Sequence, residues 1–247
     1  MSTIQCPWSL APPSLPLRPG EIHVWCASLD LPEATIASLL PILSEDERRR
    51  ADKFRAGQIR NHFIAGRAAL RSILARHLDA QPRQLRFDYQ PHGKPVLAEP
   101  WSTRGAEFNV SHSHGLAVIA VAAGLGIGID VESLRPMENA DQLVERFFSD
   151  GERRQWAELP AEVRPRAFFH GWTCKEAWLK AVGSGLLFPL GQFSVSLDPA
   201  EPARMVSIRD DAVEAAAWWL ESFEPVPGYL GAIAVRGRPG QVHRWRY

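Results

Sequence analysis

Hydrophobic and polar residues alternate in short segments of both halves of the chain. Such segments are "EIHVWCA" from Glu21, "FNVSHSHGLAVIAVA" from Phe108, "GIGIDVE" from Gly126 and "YLGAIAVRG" from Tyr229. Alternation with a period of two and many β-branched residues are typical of strands. The pattern therefore predicts several short strands, with "LRFDY", "QFSVSL" and "AAWWLESF" as further candidates.

Two longer segments have the hydrophobic spacing of helices. They are "HFIAGRAALRSILARHL" from His62 and "FFHGWTCKEAWLKAVGSGL" from Phe168. Each half of the chain thus contains one strand, a helical region and then two or three strands. Consecutive strands without helices between them favour antiparallel sheets and an α+β fold class.

The two halves repeat one another at an offset of 105 positions. Ser44 and Ser149 keep this offset, and so do Glu47 and Glu152. Each Ser-x-x-Glu pair predicts a capping box at a helix start. We therefore predict two pseudo-symmetric α+β halves, each a small antiparallel sheet packed with helices. In a duplicated fold of this kind we expect the ligand site at the interface between the halves.

The expected organisation has three parts: residues 1–20 form an extended arm, residues 21–124 the first half and residues 125–247 the second half. The arm has no basic region before its apolar residues, so it does not resemble a signal peptide. The longest uncharged run, residues 115–129, is too short and too rich in glycine to cross a bilayer. A monomer is expected, since a duplicated fold with an internal site needs no second copy.

Composition narrows the functional classes. The 247 residues carry 28 basic and 28 acidic side chains, whereas duplex-binding proteins usually have a basic excess. No nucleic-acid partner and no membrane are therefore expected. The three cysteines show no C-x-x-C spacing, which argues against a zinc site or a disulfide framework and favours a reducing cytosol.

Two acidic residues share one side of the strand in "GIGIDVE". Alternate side chains of a strand point the same way, so Asp130 and Glu132 project together. Neighbouring carboxylates repel each other unless a positive charge lies between them, and Mg²⁺ is the usual solution. Alone, the pair is explained better by an exposed strand end with two solvated acids.

The segment "WTCKEAWLK" places charged side chains beside an aromatic ring. At helical spacing, Trp172, Glu176 and Lys180 form one stripe, with Lys175 next to it. An ordinary Glu–Lys pair on an amphipathic helix would account for only part of this grouping. Glu176 as a third carboxylate for the metal, with two lysines for a phosphate, explains the grouping better.

Three further segments carry residues that could take part in the chemistry, and the first of them fits phosphate binding best. The strand end "FNVSHSHG" carries Ser111 and His112, "HGKPVL" carries Lys94, and the first-half helices carry Arg50 and Arg67. A histidine metal site at the strand end is disfavoured because no third His or Cys cluster accompanies it. By itself, "HGKPVL" is explained better as an ordinary turn with a solvent-exposed lysine.

Taken together and in this order, these segments resemble the 4'-phosphopantetheinyl transferases of the surfactin-synthetase-activating type. The most specific matches are "GIDVE" and "WTCKEAWLK"; the others are "LSEDERRRADKF", "FIAGRAALR", "HGKPVL", "FNVSHSHG" and "RFFSDGE". They extend from Leu43 to Leu186, while residues 1–20 and the last quarter of the chain carry no such motif.

The resemblance implies an enzyme that moves phosphopantetheine from coenzyme A to a serine of an acyl or peptidyl carrier protein. It implies Mg²⁺ on Asp130, Glu132 and Glu176, and Glu176 as general base. Lys175 and Lys180 would neutralise phosphate charge. The family match further assigns the remaining cofactor contacts: phosphate to Ser111 and His112, the adenine side to Lys94, and the ribose 3'-phosphate to Arg50 and Arg67.

Two alternatives stay open from the sequence. A Mg²⁺-dependent nuclease also needs clustered acids and a lysine, but the zero net charge argues against it. A carrier-binding module with a degenerate site is the alternative outside enzymes, and the complete set of carboxylates and lysines argues against it. The sequence does not indicate which carrier is the partner.

Overall fold

The chain folds into two units. A computed structural model describes residues 4–12, 15–91, 93–183 and 188–247. The first unit contains the chain up to Gly124 together with Gln241–Tyr247, and the second unit is Leu125–Gly240. The motif residues His92 and 184–187 lie outside the described residues, as do residues 1–3 and 13–14 of the expected arm.

The first unit combines two sheets with three helices. Its strands are β1 (Ser9–Leu10), β2 (Glu21–Ser28), β3 (Phe87–Tyr89), β4 (Pro95–Leu97), β5 (Ala106–Ser113), β6 (Leu116–Ala123) and β12 (Gln241–Arg246). Its helices are α1 (Glu33–Leu39), α2 (Glu45–Ala51) and α3 (Gly57–Leu78).

The main sheet of the first unit is mixed, whereas the sequence predicts an antiparallel one. Its order is β1-β12-β2-β6-β5. Strands β2, β6 and β5 pair antiparallel, but β12 pairs parallel with both β2 and β1. The expected boundaries change accordingly, because the C-terminal strand belongs to the first unit and part of the N-terminal arm forms β1.

The core of the first unit lies between this sheet and α3. Ile73 and Leu74 of α3 pack with Trp25 of β2 and Ile119 of β6, and all four are fully buried. The segment "HFIAGRAALRSILARHL" therefore forms a helix as predicted, although the helix begins five residues earlier, at Gly57.

The second unit contains the strands β7 (Ile127–Ser133), β8 (Phe193–Val195), β9 (Met205–Ile208), β10 (Trp218–Phe223) and β11 (Tyr229–Arg236). Its helices are α4 (Ala140–Phe147), α5 (Asp150–Glu158), α6 (Arg164–Val182) and α7 (Ala212–Ala216). The main sheet has the order β10-β11-β7 and is antiparallel, as predicted for this half. With its small sheets and packed helices, the protein has the predicted α+β class.

Both predicted capping boxes are present, one in each unit. The backbone N–H of Ser44 donates to Glu47 at 3.0 Å at the start of α2, and that of Ser149 donates to Glu152 at 2.7 Å at the start of α5. Both glutamates are buried, which capping alone does not require. Each also accepts a hydrogen bond from a basic side chain of the long helix in its own unit. Arg71 of α3 donates to Glu47, and Lys175 of α6 donates to Glu152.

Candidate active site

Strand β7 carries the two acidic residues of "GIDVE". Asp130 lies opposite Ala232 of β11, and Glu132 lies opposite Leu230. Their spacing of two residues places both on one face of the sheet. Asp130 is only 5% exposed, whereas the side chain of Glu132 is 26% exposed and also contacts Arg135 at 3.2 Å. One carboxylate is therefore enclosed and the other is open to solvent.

Helix α6 packs very closely against β7. A Cβ atom at Gly128 would overlap the carbonyl group of Ala177 on α6. At Gly126 the nearest atom to such a Cβ is the carbonyl oxygen of Ala181, at 3.8 Å, which is an ordinary contact. Gly128 is thus the residue that lets α6 lie directly on the strand, next to the acidic side chains.

This close packing brings Lys180 of α6 to Asp130. The Lys180 Nζ donates to Asp130 Oδ1 at 2.6 Å, and the lysine side chain is 28% exposed. Charge-assisted hydrogen bonds of this length are among the stronger polar interactions in proteins. Lys180 is held beside the enclosed carboxylate, and part of its side chain stays accessible.

Glu176 lies in the same charged environment, one turn before Lys180 on α6. Burial raises the pKa of the Glu176 carboxyl, and the negative charge of Asp130 raises it further. Lys180 acts in the opposite direction, and Glu132 adds a smaller upward effect. Three carboxylates thus influence one another, which is the electrostatic situation that a bound cation relieves.

The three carboxylates fit a hard divalent ion by their chemistry. Their donors are all oxygens, the ligands that Mg²⁺ prefers. Lys180 contacts one oxygen of Asp130. The set therefore has the donors for such an ion.

Lys175 contradicts the sequence-based prediction. Its side chain is completely buried, and its Nζ donates to both oxygens of Glu152 at 2.8 and 2.7 Å and to the Phe193 carbonyl at 2.7 Å. Desolvation lowers the pKa of Lys175, while Glu152 acts to raise it. Its three proton positions are used inside the second unit, so the interpretation of Lys175 as a phosphate contact is wrong.

Cys174 also belongs to the interior. It is fully buried, and burial is the main cause that raises the pKa of its thiol to about 12. Such a thiol is protonated at neutral pH and is a poor nucleophile. Its role in this helix is packing, as the sequence indicates.

Arg67 and Arg50 of the first unit have different surroundings. The Arg67 Nε lies 3.2 Å from Glu47 Oε1, its Nη2 donates to the Tyr89 hydroxyl at 2.7 Å, and its side chain is only 9% exposed. Arg50 is exposed, with its guanidinium 5.3 Å from the centre of the Phe63 ring. Arg67 is pre-positioned by protein partners, whereas Arg50 rests on an aromatic ring at the surface.

The other predicted binding residues of the first unit lie around β5 and the turn before β4. Ser111 is buried and His112 is exposed, as alternation along β5 requires. Lys94 precedes β4, and desolvation lowers its pKa although Glu107 acts in the opposite direction. Lys94 is therefore more enclosed than a lysine in a solvent-exposed turn.

Sequence reasoning missed the buried partners of the basic residues. Glu47 and Glu152 were recognised only as capping residues, yet each also neutralises a buried cation, Arg71 at 2.6 Å or Lys175 at 2.7 Å. The repeat itself held the signal, since each capping glutamate is followed by a basic residue in the core-facing part of a long helix.

No helix in the described residues is long and apolar enough to cross a membrane. A family model described as "4'-phosphopantetheinyl transferase superfamily" matches residues 126–234, and one described as "4'-phosphopantetheinyl transferase, N-terminal" matches residues 32–124. The N-terminal match ends at residue 124 and the other begins at residue 126, so they meet at the boundary between the two units.

Three curated relatives are similar over most of this chain. The 4'-phosphopantetheinyl transferase HetI of Nostoc sp. is 40% identical over 99% of this chain and 100% of its own length. A putative 4'-phosphopantetheinyl transferase of Synechocystis sp. is 34% identical over 81% of this chain and 78% of its own length. The 4'-phosphopantetheinyl transferase Sfp of Bacillus subtilis is 29% identical over 78% of this chain and 82% of its own length. These matches confirm the family that the motifs predict: the chain belongs to the 4'-phosphopantetheinyl transferase superfamily.

Proposed function

We propose that this chain transfers the 4'-phosphopantetheine group of coenzyme A to a serine hydroxyl of an acyl or peptidyl carrier protein. The serine oxygen forms a new bond to the phosphorus that bears the pantetheine arm. The bond from that phosphorus to the bridging pyrophosphate oxygen breaks, and adenosine 3',5'-bisphosphate leaves. The serine proton must go to a base, and the charge on the leaving phosphate must be neutralised.

The contact between Lys180 and Asp130, with Glu176 beside it, carries this proposal. Positioning and electrostatics provide most of the catalysis in phosphoryl transfer. An ammonium group held at 2.6 Å from an enclosed carboxylate is fixed in place before substrate binds. We assign to Lys180 the neutralisation of negative charge as the pyrophosphate bond breaks.

Glu176 is the proposed general base. A carboxylate of ordinary pKa is a weak base at neutral pH, and burial together with Asp130 moves the pKa of Glu176 in the useful direction. Its accessible portion would accept the serine proton directly or through one water molecule. Lys180 acts in the opposite direction and limits this upward shift of the pKa.

Asp130, Glu132 and Glu176 are the proposed ligands of Mg²⁺. When bound there, the ion would act as a Lewis acid towards pyrophosphate oxygens. The Asp130 carboxylate is enclosed, whereas that of Glu132 is open to solvent. This difference suits a metal site that must also admit the pyrophosphate oxygens of the substrate.

We assign the nucleotide end of coenzyme A to the first unit. Arg67, fixed by Glu47 and Tyr89, and the exposed Arg50 would contact the ribose 3'-phosphate. A guanidinium fork suits a terminal phosphate better than an ammonium group does. Ser111 and His112 would contact phosphate oxygens, and Lys94 the adenine side. The cytosolic location expected from cysteine usage stays a prediction; all three cysteines are buried.

Mass spectrometry of the carrier tests the proposal. The protein is incubated with coenzyme A, Mg²⁺ and apo-carriers of the fatty-acid, polyketide and nonribosomal-peptide classes. We expect at least one carrier to gain the mass of one phosphopantetheine group, and a chelator to prevent the gain. Binding of carriers without any gain would support the carrier-binding module instead, and cleavage of added DNA or RNA would support the nuclease.

A further inference from the structure

A second group of metal-ligating side chains lies in the first unit. Strands β2 and β12 pair in parallel, with His23 directly beside His243 and Glu21 beside Gln241. Since alternate residues share a face, Glu21, His23 and His243 are all on the same side of the sheet. One ligand atom from each of the three lies within 4.8 Å of the other two.

The nitrogens of this cluster lack the partners that buried polar atoms normally have. His23 is only 2% exposed, and in the described part of the chain the Nε2 atoms of His23 and His243 are buried without a hydrogen-bond partner. Buried polar side-chain atoms usually have at least one partner, so two such atoms side by side need an explanation. Glu21 Oε2 lies 3.6 Å from the same nitrogen of His23.

The aromatic surroundings hold the two imidazoles in place. The His23 and His243 rings are stacked with their centres 4.8 Å apart, and the His77 ring of α3 lies edge-on to His23 at 4.9 Å.

We propose that Glu21, His23 and His243 bind a divalent transition-metal ion such as Zn²⁺. Two imidazole nitrogens and one carboxylate are a ligand set found for zinc, whereas Mg²⁺ prefers oxygen ligands alone. The site differs in its chemistry from the all-oxygen site proposed in the second unit. It rests on the geometry of the first unit and is independent of the proposed transfer reaction.

Trp245 opposes metal binding in a specific way. Its Nε1–H donates to His23 Nδ1 at 3.0 Å, so the proton of the neutral His23 ring is on Nε2. A metal at Nε2 requires that this proton move to Nδ1, and the bond to Trp245 must then break. Partners of metal-binding histidines usually accept a hydrogen bond from the second nitrogen, and Trp245 cannot do so.

The bound ion would join two strands that are far apart in sequence. Glu21 and His23 lie near the start of the chain, while His243 is four residues from its end. The ion would hold β12 against β2 and stabilise the first unit. Amide protons of β12 should therefore exchange more slowly when the metal is bound.

Zinc titration of the untagged, chelator-treated full chain tests the site. Excess Mg²⁺ is included to occupy the all-oxygen site. We expect the wild-type protein to bind one Zn²⁺, with a rise in Tm and slower exchange in β12. Glu21→Gln, which keeps the side-chain shape, and His243→Ala should each weaken zinc binding by about tenfold or more. His114→Ala, at an exposed turn outside the cluster, is the matched control and should bind as the wild type does.

Trp245→Phe distinguishes a metal site from a cluster that only packs. It keeps the ring stacking but frees His23 Nδ1 to carry the proton, so zinc should bind more tightly than to the wild type. The proposal would be overturned if the wild type did not bind zinc. It would also be overturned if Glu21→Gln and His243→Ala bound zinc as tightly as the wild type does. Weaker binding by Trp245→Phe would overturn the assignment of His23 as a ligand.

Discussion

Lys175 and Glu152 form a completely buried ion pair inside the second unit. The lysine side chain is 1% exposed and the glutamate side chain 0%, and the shorter of the two N–O distances is 2.7 Å. The same glutamate accepts backbone hydrogen bonds from Ser149 and Val195, so the pair links α6 to the start of α5 and to β8. Lys175 therefore holds α6 in position, which leaves Lys180 as the proposed group that neutralises substrate charge.

Lys175→Met should destabilise the protein by about 3–5 kcal/mol, because removal of one partner leaves the other charge buried and uncompensated. The double variant Glu152→Gln/Lys175→Met should recover part of this loss, since no buried charge then remains. Denaturant unfolding measures both effects. A Lys175→Met protein as stable as the wild type would show that the pair contributes nothing to the fold.

Glu176→Gln should reduce transfer strongly, leaving a small residual rate, and yet stabilise the metal-free protein at neutral pH. A carboxyl whose pKa is raised in the folded state contributes stability that is fully present below its unfolded pKa, about 4.3. That contribution is lost as the pH rises through the higher folded pKa. The Tm advantage of the variant over the wild type should therefore grow as the pH rises above about 4.3.

The proposed role of Glu176 as base also predicts the pH dependence of the wild-type rate. A general base works in its ionised form, so kcat/KM should rise with pH as Glu176 ionises. In Glu176→Gln the remaining rate should lack this rise. A Tm difference that is constant with pH, together with an unchanged pH–rate profile in the variant, would remove Glu176 from the role of base.

Gly128→Ala should displace α6 from β7, because the new Cβ would overlap the carbonyl group of Ala177. Overpacking of this kind typically costs about 1–3 kcal/mol, and here it would also separate Lys180 from Asp130. Gly126→Ala is the matched control, with only an ordinary contact at 3.8 Å. Unfolding curves and transfer rates should both fall for Gly128→Ala and change little for Gly126→Ala. Equal behaviour of the two variants would contradict the close packing.

Arg67→Ala should lower kcat/KM for coenzyme A by roughly 10- to 100-fold and affect 3'-dephospho-coenzyme A much less. A charge-assisted contact to the 3'-phosphate is worth about 1.5–3 kcal/mol. Removing Arg67 from Glu47 could also destabilise the protein, but this would affect both substrates alike. It therefore cancels in the ratio of their kcat/KM values. Arg50→Ala should have a milder effect of the same kind. Arg49, whose side chain is 69% exposed and pairs with Glu45, is the control. If the ratio of the two kcat/KM values were unchanged in both Arg67→Ala and Arg50→Ala, neither arginine would bind the 3'-phosphate.

The sequence was sufficient for the features that depend on local pattern. Alternation predicted β2, β7 and β11, and the Ser-x-x-Glu pairs predicted the starts of α2 and α5. Strand alternation also placed Asp130 and Glu132 on one face. These are properties of neighbouring residues in the chain, so no tertiary information was needed.

The errors concern partners that are distant in sequence. Strand β12 was missed, and its parallel pairing with β2 joins residues more than 200 positions apart. Lys175 was misassigned because its neighbours on the helix, Glu176 and Lys180, are polar. Only the fold shows that its partner is Glu152, 23 positions away and buried in another helix. The spacing of residues along a helix indicates the approximate direction of a side chain. It does not indicate whether the end of that side chain is buried.

The most direct test of this account compares transfer by Lys180→Met and by Lys175→Met, in the presence of Mg²⁺. The intact mass of a carrier is followed over time, at a temperature where unfolding curves show that both variants are folded. If Lys175→Met does not fold, the double variant Glu152→Gln/Lys175→Met takes its place. Loss of a positioned electrostatic group commonly costs about 100-fold or more, so Lys180→Met should be slower by that factor. The folded Lys175 variant should stay within about tenfold of the wild type, because its ammonium never meets the substrate. Near-normal turnover by Lys180→Met, with the large loss in the folded Lys175 variant instead, would contradict the account.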